Sequence, residues 1–391
     1  MKTKIIKQKS IFFFCLILLY IIYNKYYKAE LERNILDKTS IFLKINRFEE
    51  MFNNSIKKST VLIFEPNRYH FECLPGYAKY FIDLGYNVDI LSRNFGIDSF
   101  YLFKEKNKIR YFVYVDLTQF SKYYKNFISY IKNYDFIVIQ SINEQNKKLL
   151  NRLKFLKLNN TIFIFHNIVY ANRDYSIFFI KKRIWTLGNI SKGLQVNPHY
   201  FGYIKIKDKT GKTIFFLTST VHRNYNYFIK SLLKLKEDNL NFEIIVTGAK
   251  SFFNSSIIPK NLIHNFSFKY SICYEELYKA IIKSDFIILP FDPKKDIDKT
   301  YKSIRVSGSI QLAYGFLKPV IIDLNFADFY KLNNKNSLIY ENYDFYTIMK
   351  KAIKLNDKEY KYLQSNLKDT VQEIYKISIN NVKKTINEIK K

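Results

Sequence analysis

Glycine, proline and cysteine are scarce in this chain, which has 10 glycines, 7 prolines and 3 cysteines among 391 residues. The cysteines, at positions 15, 73 and 273, are too few and too widely spaced for a disulfide framework or a zinc cluster. Lys, Asn, Ile, Tyr and Phe dominate instead, which indicates an AT-rich coding sequence. Each glycine is therefore informative about the local backbone, because it is kept although the codon bias disfavours glycine.

Acidic residues are also scarce, and the formal net charge is +30, from 64 basic and 34 acidic side chains. A charge of this size is typical of proteins that bind nucleic acid or an anionic membrane. The lysines are spread along the chain, however, and the sequence has neither a basic arm nor an aromatic platform for stacking bases. We therefore assign most of them to solvated faces and predict no nucleic-acid partner.

The N-terminus carries a long apolar run. Four lysines precede the thirteen residues IFFFCLILLYIIY, and residues 10–27 contain a single charge. A segment of about 18 such residues is long enough to cross a bilayer, and no small-residue cleavage site follows it. Residues 1–27 are therefore predicted to be a cytoplasmic tail and a transmembrane signal anchor. The excess of positive charge before the segment predicts a single-pass membrane protein with a cytoplasmic N-terminus.

Residues 28–58 show little strand character. Apolar side chains recur there at spacings typical of one helix face, and these are Ile41, Ile45, Phe48, Phe52 and Ile56. We expect a helical stem that either packs on the next domain or pairs with a copy of itself as a homodimer.

From residue 59 onward, short apolar runs alternate with helical patterns. TVLIFEP, YNVDILS and TIFIFHNI are typical of buried strands, whereas GYAKYFIDLG is typical of a helix between strands. This alternation predicts parallel sheets covered on both faces. The pattern lapses at KIKDKTGK and restarts, so we predict two doubly wound, Rossmann-like α/β domains, 59–205 and 206–350, followed by C-terminal helices, 351–391. A ligand is expected in the cleft between the domains.

Two segments of the second domain, YEELYKAIIKSDFIILP and SGSIQLAYGFLKPVII, resemble sequence patterns of GT-B fold glycosyltransferases of the group 1 type. The resemblance is weaker in the first domain. It implies a membrane-anchored glycosyltransferase that binds a nucleotide sugar in the second domain. A glycan, lipid-linked or protein-linked acceptor would bind against the first domain, and no cofactor is implied beyond the nucleotide-sugar co-substrate.

The resemblance places the donor diphosphate at the Ser-Gly-Ser turn before the helix. Gly308 would permit close backbone approach, and the amides of Ser307 and Ser309 would donate to anionic oxygens at a helix N-terminus. An ordinary capped helix would explain the same turn, since serine is a common N-cap. The other donor-site candidates are Lys302, Arg305, Arg223 and Gly248.

The loop after TVLIFEP carries the candidate catalytic residues of the first domain. His70 lies four residues after Pro66, where the family often has a histidine that faces the acceptor hydroxyl, and imidazole suits proton removal near neutral pH. Glu72 is a second candidate base or the partner of His70. His166 and Asn167 end a predicted strand and are candidate acceptor or sugar contacts. The alternatives are a surface loop for His70 and a capping role for the other pair.

The chain departs from the family at one pattern. Retaining members carry two glutamates eight residues apart, and the corresponding positions here are Ile304 and Leu312. Inverting and retaining chemistry therefore both stay open. Asp296 and Asp298 match an Asp-x-Asp metal signature, but they lie several residues past the strand FIILP, so no metal site is predicted.

Two other functions remain as alternatives. A catalytically inactive, membrane-tethered protein that binds glycans or nucleotide sugars would account for the missing glutamates. A nucleotide-sugar 2-epimerase shares the fold, although such enzymes are usually soluble.

Overall fold

A computed structural model describes residues 43, 45–67, 69–93, 96–114, 122–142, 159–168, 183–190, 193–204, 206, 208–209, 211–220, 223, 225–253 and 255–391. The predicted membrane anchor and the first part of the predicted stem lie outside these residues. None of the helices in the described part is long and apolar enough to cross a membrane.

The first domain is built on a parallel sheet in the order β1-β4-β3-β2-β5-β6-β7-β8. The strands are β1 Ile45–Arg47, β2 Thr60–Glu65, β3 Asn87–Arg93, β4 Ile109–Tyr114, β5 Phe136–Ile139, β6 Thr161–Phe165, β7 Ile184–Thr186 and β8 Leu194–Gln195. The central strands β2 and β5 are buried at every position, as the continuous apolar runs predicted.

The second domain is built on a parallel sheet in the order β11-β10-β9-β12-β13-β14. The strands are β9 Thr213–Thr218, β10 Phe242–Gly248, β11 Phe266–Tyr270, β12 Phe286–Leu289, β13 Val320–Asp323 and β14 Leu338–Tyr340. In the second sheet, and in the first sheet from β2 onward, the chain reverses its direction of winding once, as in doubly wound folds. The prediction of two parallel-sheet α/β domains is confirmed.

Helices cover the two sheets. They are α1 Leu74–Asp83, α2 Tyr124–Ile131, α3 Asn226–Glu237, α4 Tyr274–Lys283, α5 Asp296–Lys299, α6 Gly308–Gly315, α7 Leu324–Ala327, α8 Phe345–Lys354 and α9 Asp357–Ile389. Helix α9 begins with a capping box between Asn356 and Glu359 and then crosses from one domain to the other. Its Leu367 packs in the core of the second domain, whereas its Val382 packs in the core of the first.

The predicted helical stem is wrong for the residues that the structure describes. Ile45–Arg47 forms β1, which pairs in parallel with β4 at the edge of the first sheet, and Phe48–Asn53 is a 3-10 helix. Phe48 and Met51 are fully buried in the first domain's core. Ile45 lies in the strand, whereas Phe48 and Phe52 lie in the 3-10 segment, so the helix-like spacing of these apolar residues runs across two different elements.

The segment before α6 is seated on the first domain. The Ile168 N–H donates to the carbonyl oxygen of Ile304 at 2.9 Å, and Asn167 forms a β-bridge with Arg305. Val306 packs against the cores of both domains. These contacts fix the start of α6 relative to both sheets, which positions the cavity described next.

Candidate active site

A cavity of about 420 Å3 lies at the carboxyl ends of β9, β10 and β12, where the second domain faces the first. Strands β9 and β12 are neighbours, and the winding of the sheet reverses between them. Such a switch point is the usual ligand site of an open α/β sheet. The cavity is lined by Glu72, Thr218, Thr220, Arg223, Thr247, Gly248, Ala249, Ser271, Ile272, Tyr274, Leu277, Ile288, Leu289, Pro290, Tyr301, Ser307, Gly308, Ser309 and Leu312.

The N-terminus of α6 opens into this cavity. Ser307 is the N-cap residue, but its side chain makes no capping hydrogen bond. The Ser307 N–H points to the Tyr330 hydroxyl at 3.4 Å, and the Ile310 N–H donates to the Ser307 carbonyl oxygen at 3.1 Å. The first turn of a helix leaves N–H groups without intrahelical partners, and here they belong to Gly308 and Ser309. A Cβ on Gly308 would have no protein atom within 4 Å, so the space beside this turn is open.

Gly248 ends β10 in a backbone conformation with φ of 112°, which favours glycine. A Cβ at this position would lie 2.5 Å from Ser219 Oγ, so a larger residue has no room. Gly248 lines the cavity, as expected for a strand end that approaches a ligand.

Three threonines line the cavity with unpaired hydroxyls. The Oγ1 atoms of Thr218, Thr220 and Thr247 are buried and have no hydrogen-bond partner, and Thr247 is 2% exposed. Burial of an unpaired hydroxyl costs roughly 1–3 kcal/mol. A ligand with hydroxyl or anionic oxygens would recover part of that free energy, so the three threonines indicate a polar ligand.

Arg223 is a buried cation of the cavity wall. Its Nη1 donates to Asp298 Oδ1 at 2.5 Å, and the two side chains are 4% and 1% exposed. The guanidinium also lies over the rings of Phe291 and Tyr301, with its carbon 4.2 and 5.0 Å from the two centroids. These contacts fix the side chain, so the positive charge is held at the cavity without ordering cost on binding.

Asp298, the second acidic residue of the Asp-x-Asp sequence, has both carboxylate oxygens engaged by other groups of the protein. Asp298 Oδ2 accepts the Asp292 N–H at 2.8 Å while Oδ1 binds Arg223. Asp296 is 95% exposed and pairs with Lys299. No group of three His, Cys, Asp or Glu side chains in the described part could hold a metal ion.

Lys302 and Arg305, two of the predicted donor contacts, are not among the lining residues. Lys302 is exposed, with its Nζ 3.4 Å from the Asn325 carbonyl oxygen. Arg305 donates from Nη2 to the Ile297 carbonyl oxygen at 2.9 Å and lies over the Tyr301 ring at 4.1 Å. The Arg305 guanidinium thus contacts Tyr301, which does line the cavity.

The first domain contributes an ordered His-Glu pair beside the cavity. His70 Nδ1 lies 3.3 Å from Glu72 Oε1, and 37% of the His70 side chain is exposed. Glu72 Oε2 accepts the hydroxyl hydrogen of Tyr274, from α4 of the second domain, at 2.8 Å. Burial opposes protonation of His70, but the hydrogen bond and charge of Glu72 outweigh it and raise the pKa of His70. Burial acts to raise the pKa of Glu72, and the partners His70 and Tyr274 reverse this and lower it.

His166 is stacked on His70. The two rings are 4.1 Å apart between centroids at an angle of 27°, and His166 Nε2 lies 3.2 Å from Ser141 Oγ. Burial, together with the charge of His70, holds the pKa of His166 well below its usual range. His166 is therefore a neutral support for His70, whereas Asn167 forms the bridge to Arg305.

Glu65 is a fully buried carboxyl group at the end of β2. Its Oε1 accepts the Asn67 N–H at 2.7 Å. Burial raises the pKa of Glu65 to about 7, against hydrogen bonds from Ser141 and Asn67 and the charge of His70. The sequence carried a signal for it, because Glu65 is an acidic residue inside the buried run TVLIFEP.

Tyr274 and the three threonines were not predicted from the sequence. Tyr274 meets Glu72 only through the domain arrangement, since the two are 202 residues apart. A strand that ends in threonine, as β9 does, is a weak signal, because threonine is common in strands for other reasons.

No protein-family model and no curated protein matches the chain. Among solved structures, it is similar to a glycosyltransferase from Rickettsia africae ESF-5, with 15% sequence identity and a TM-score of 0.51 over 86% of this chain and 100% of that one. It is also similar to HepE from Anabaena in complex with UDP, with 11% identity and a TM-score of 0.47 over 83% and 98% of the two chains. The lipopolysaccharide outer core galactosyltransferase WaaB is similar at 12% identity, with a TM-score of 0.44 over 84% and 99%. At these identities the likeness concerns the fold, which is the two-domain parallel-sheet architecture that the sequence predicted.

Proposed function

We propose that the protein is a glycosyltransferase that moves a sugar from a nucleotide-sugar donor to an acceptor hydroxyl of a glycan, a lipid or a protein-linked chain. One observation carries the proposal. A cavity at the switch point of the second sheet brings together a free helix N-terminus, a fixed arginine and three unpaired hydroxyls, and faces Glu72 of the first domain. The similarity of the two-domain fold to that of a solved glycosyltransferase supports the same function.

The donor is proposed to bind with its diphosphate at the start of α6. The N–H groups of Gly308 and Ser309 would donate to phosphate oxygens, and the positive end of the helix dipole favours their charge. Arg223 supplies a fixed cation, and Gly248 leaves room for the nucleotide. Lys302 and Arg305 are left out of this contact set, because neither lines the cavity.

The transfer step is proposed to use His70 as the general base. Its Nδ1 is engaged with Glu72, which leaves Nε2 to take the proton of the acceptor hydroxyl. The acceptor oxygen then forms a bond to the anomeric carbon, and the bond from that carbon to the diphosphate oxygen breaks. The electron pair leaves with the nucleoside diphosphate, whose charge Arg223 and the α6 amides stabilise. Displacement in this way inverts the anomeric centre.

No step of this scheme requires a metal ion, because a guanidinium and a helix N-terminus supply the positive charge. We expect donor binding and transfer to persist when EDTA is added. Loss of both with EDTA, and recovery with a divalent cation, would contradict this part of the proposal.

The N-terminal segment, residues 10–27, is proposed to anchor the enzyme in a membrane with its N-terminus in the cytoplasm. Alkaline extraction of membranes tests this directly. The full chain should stay in the membrane fraction, and its release into the supernatant would overturn the anchor without touching the proposed activity.

Turnover of a nucleotide-sugar panel tests the function. The full chain should release nucleoside diphosphate from one donor class, and His70→Asn should reduce that rate by roughly 100- to 10,000-fold. Asn suits this substitution because His70 has a φ of 70°, where Asn is tolerated. His264→Ala, at an exposed histidine of the second domain, is the matched control and should leave the rate unchanged.

The outcomes separate the alternatives. Donor binding by the unsubstituted chain without any turnover would favour the inactive binding protein. Conversion of the donor to its 2-epimer, without transfer, would favour the epimerase. Equal rates for His70→Asn and His264→Ala would remove His70 from the mechanism.

A further inference from the structure

A second large groove lies away from the proposed donor cavity. It has a volume of about 600 Å3 and is bounded by the connection between the domains, the end of α6 and one face of α9. A volume in this range is typical of small-molecule sites. None of the residues that line it also lines the donor cavity.

The floor of the groove is apolar and its rim is cationic. Ile204, Leu317 and Val371 contribute aliphatic surface, and tyrosines flank them. Lys104 of the first domain and Lys368 and Lys376 of α9 lie at the rim and are exposed. No acidic residue is among the described residues that line the groove.

The three rim lysines are not neutralised. Within the described residues none of them forms a salt bridge, whereas lysines elsewhere on the second domain and α9, such as Lys331 and Lys361, do. Lys104 lies over the ring of Tyr203, with Nζ 4.1 Å from the centroid, and Tyr203 is 64% exposed. An anion in the groove would thus meet positive charge from both domains.

We propose that this groove binds an anionic amphiphile with a single alkyl chain and a phosphate head group. The chain would lie on the apolar floor, and the head group would lie between Lys104 and the two lysines of α9. Two other occupants are disfavoured because each would bring positive charge to the lysine rim. The apolar N-terminal segment of this chain is flanked by lysines on both sides, and a second copy carries the same net charge of +30.

Because the rim lysines come from both domains, the bound amphiphile bridges them at a point remote from the donor cavity. The inference goes beyond sugar transfer and does not depend on it. A chain with no transferase activity would still bind the amphiphile.

Thermal unfolding of the full chain tests the proposal. The protein is held in uncharged detergent micelles and titrated with tetradecyl phosphate, and tetradecanol and inorganic phosphate are run as separate arms. The melting temperature should rise only with tetradecyl phosphate, because neither the alkyl chain nor the phosphate alone satisfies both parts of the groove.

A pair of double substitutions on one helix locates the effect. Lys368→Ala with Lys376→Ala removes two rim charges, and Lys383→Ala with Lys384→Ala removes two exposed charges of α9 outside the groove. The first pair should reduce the shift at least by half, whereas the control pair should keep it. Equal shifts in both pairs, or an equal shift with tetradecanol, would overturn the proposal.

Tyr203→Trp gives a second readout at the groove itself. The native Trp185 is fully buried in the first domain's core, so a change in the emission of the new tryptophan reports on the rim. A tetradecyl phosphate with a brominated chain should quench the emission of Tyr203→Trp and leave the emission of the unsubstituted chain unaltered. Unaltered emission in both proteins would contradict occupancy of the groove.

Discussion

Tyr274 of the second domain donates its hydroxyl hydrogen to Glu72 of the first domain, with 2.8 Å between Tyr274 Oη and Glu72 Oε2. The same carboxylate binds His70 through its other oxygen, so one glutamate connects the proposed base to the opposite domain. The orientation and basicity of His70 therefore depend on the arrangement of the two domains. The hydrogen bond between Tyr274 and Glu72 is therefore present only in the observed arrangement of the two domains.

Tyr274→Phe should raise the pKa of Glu72. The Tyr274 hydroxyl is one of the groups that lower this pKa, so its removal favours the protonated carboxyl. A more basic Glu72 carboxylate also holds the proton of His70 more firmly, so the activity, which requires neutral His70, should begin to fall at a higher pH as the solution is acidified. The measurement is the pH profile of kcat/KM for the unsubstituted chain and the variant.

Tyr278→Phe is the control for that comparison. Its hydroxyl also joins the domains, because it donates to the Ser99 carbonyl oxygen at 3.2 Å, but it does not contact Glu72. We expect Tyr278→Phe to change stability without moving the acidic limb. If both variants moved the acidic limb equally, the Tyr274–Glu72 hydrogen bond would act by holding the domains together and not by lowering the pKa of Glu72.

Thr247→Val should separate stability from donor binding. The substitution replaces a buried, unpaired hydroxyl with a methyl group of similar size, so the free energy of unfolding should stay the same or rise by up to about 1 kcal/mol. Donor binding should weaken by the value of one hydrogen bond, about 0.5–1.5 kcal/mol. Calorimetric titration and chemical unfolding measure the two effects.

Thr161→Val is the matched substitution. Thr161 also has a buried, unpaired hydroxyl and is 2% exposed, but it lies at the amino end of β6 in the first domain and does not line the cavity. It should affect stability in the same direction and leave donor binding unaltered. Weaker donor binding by Thr161→Val would show that these substitutions act through general packing.

Glu65 should make the folded state less stable as the pH rises from about 4.5 to 7. Its pKa is raised from 4.5 to about 7 in the folded protein, so the folded state holds the proton in a range where the unfolded state has released it. The stabilisation is present below pH 4.5 and is lost by about pH 7, with an upper limit of roughly 3 kcal/mol. Glu65→Gln cannot ionise and should lose this slope in the free energy of unfolding.

Parallel pH profiles for the unsubstituted chain and Glu65→Gln would contradict this reading of Glu65. If Glu65→Gln reduces the pH dependence of the free energy of unfolding by less than this upper limit, the result still agrees with the predicted direction. The measurement is urea unfolding at a series of pH values across this range.

The sheets were predictable from the sequence, because buried parallel strands leave continuous apolar runs such as TVLIFEP and FEIIVTG. The edge strand β1 was not, since Ile45–Arg47 owes its conformation to pairing with β4, which lies more than sixty residues later. Edge pairing depends on the tertiary structure, and a short window of sequence does not contain it.

Part of the candidate site was also predictable. Gly308, Gly248 and Arg223 follow or precede recognisable strands, and all three line the cavity. Lys302 and Arg305 were chosen for charge and proximity in sequence, but the turn before α6 directs Arg305 toward Ile297. Side-chain direction in an irregular segment depends on contacts such as the bridge to Asn167, which no local pattern reveals.

Calorimetric titration of the full chain and of Gly308→Ala with UDP, GDP, CDP and ADP tests the central claim most directly. A Cβ at Gly308 meets no protein atom, so the variant should fold with unaltered or slightly greater stability, yet the methyl group occupies the space proposed for the diphosphate. We predict that one nucleoside diphosphate binds the unsubstituted chain and binds Gly308→Ala at least tenfold more weakly, a loss of about 1.4 kcal/mol. Absence of binding by all four nucleotides, or equal affinity for both proteins, would contradict a donor site at the start of α6.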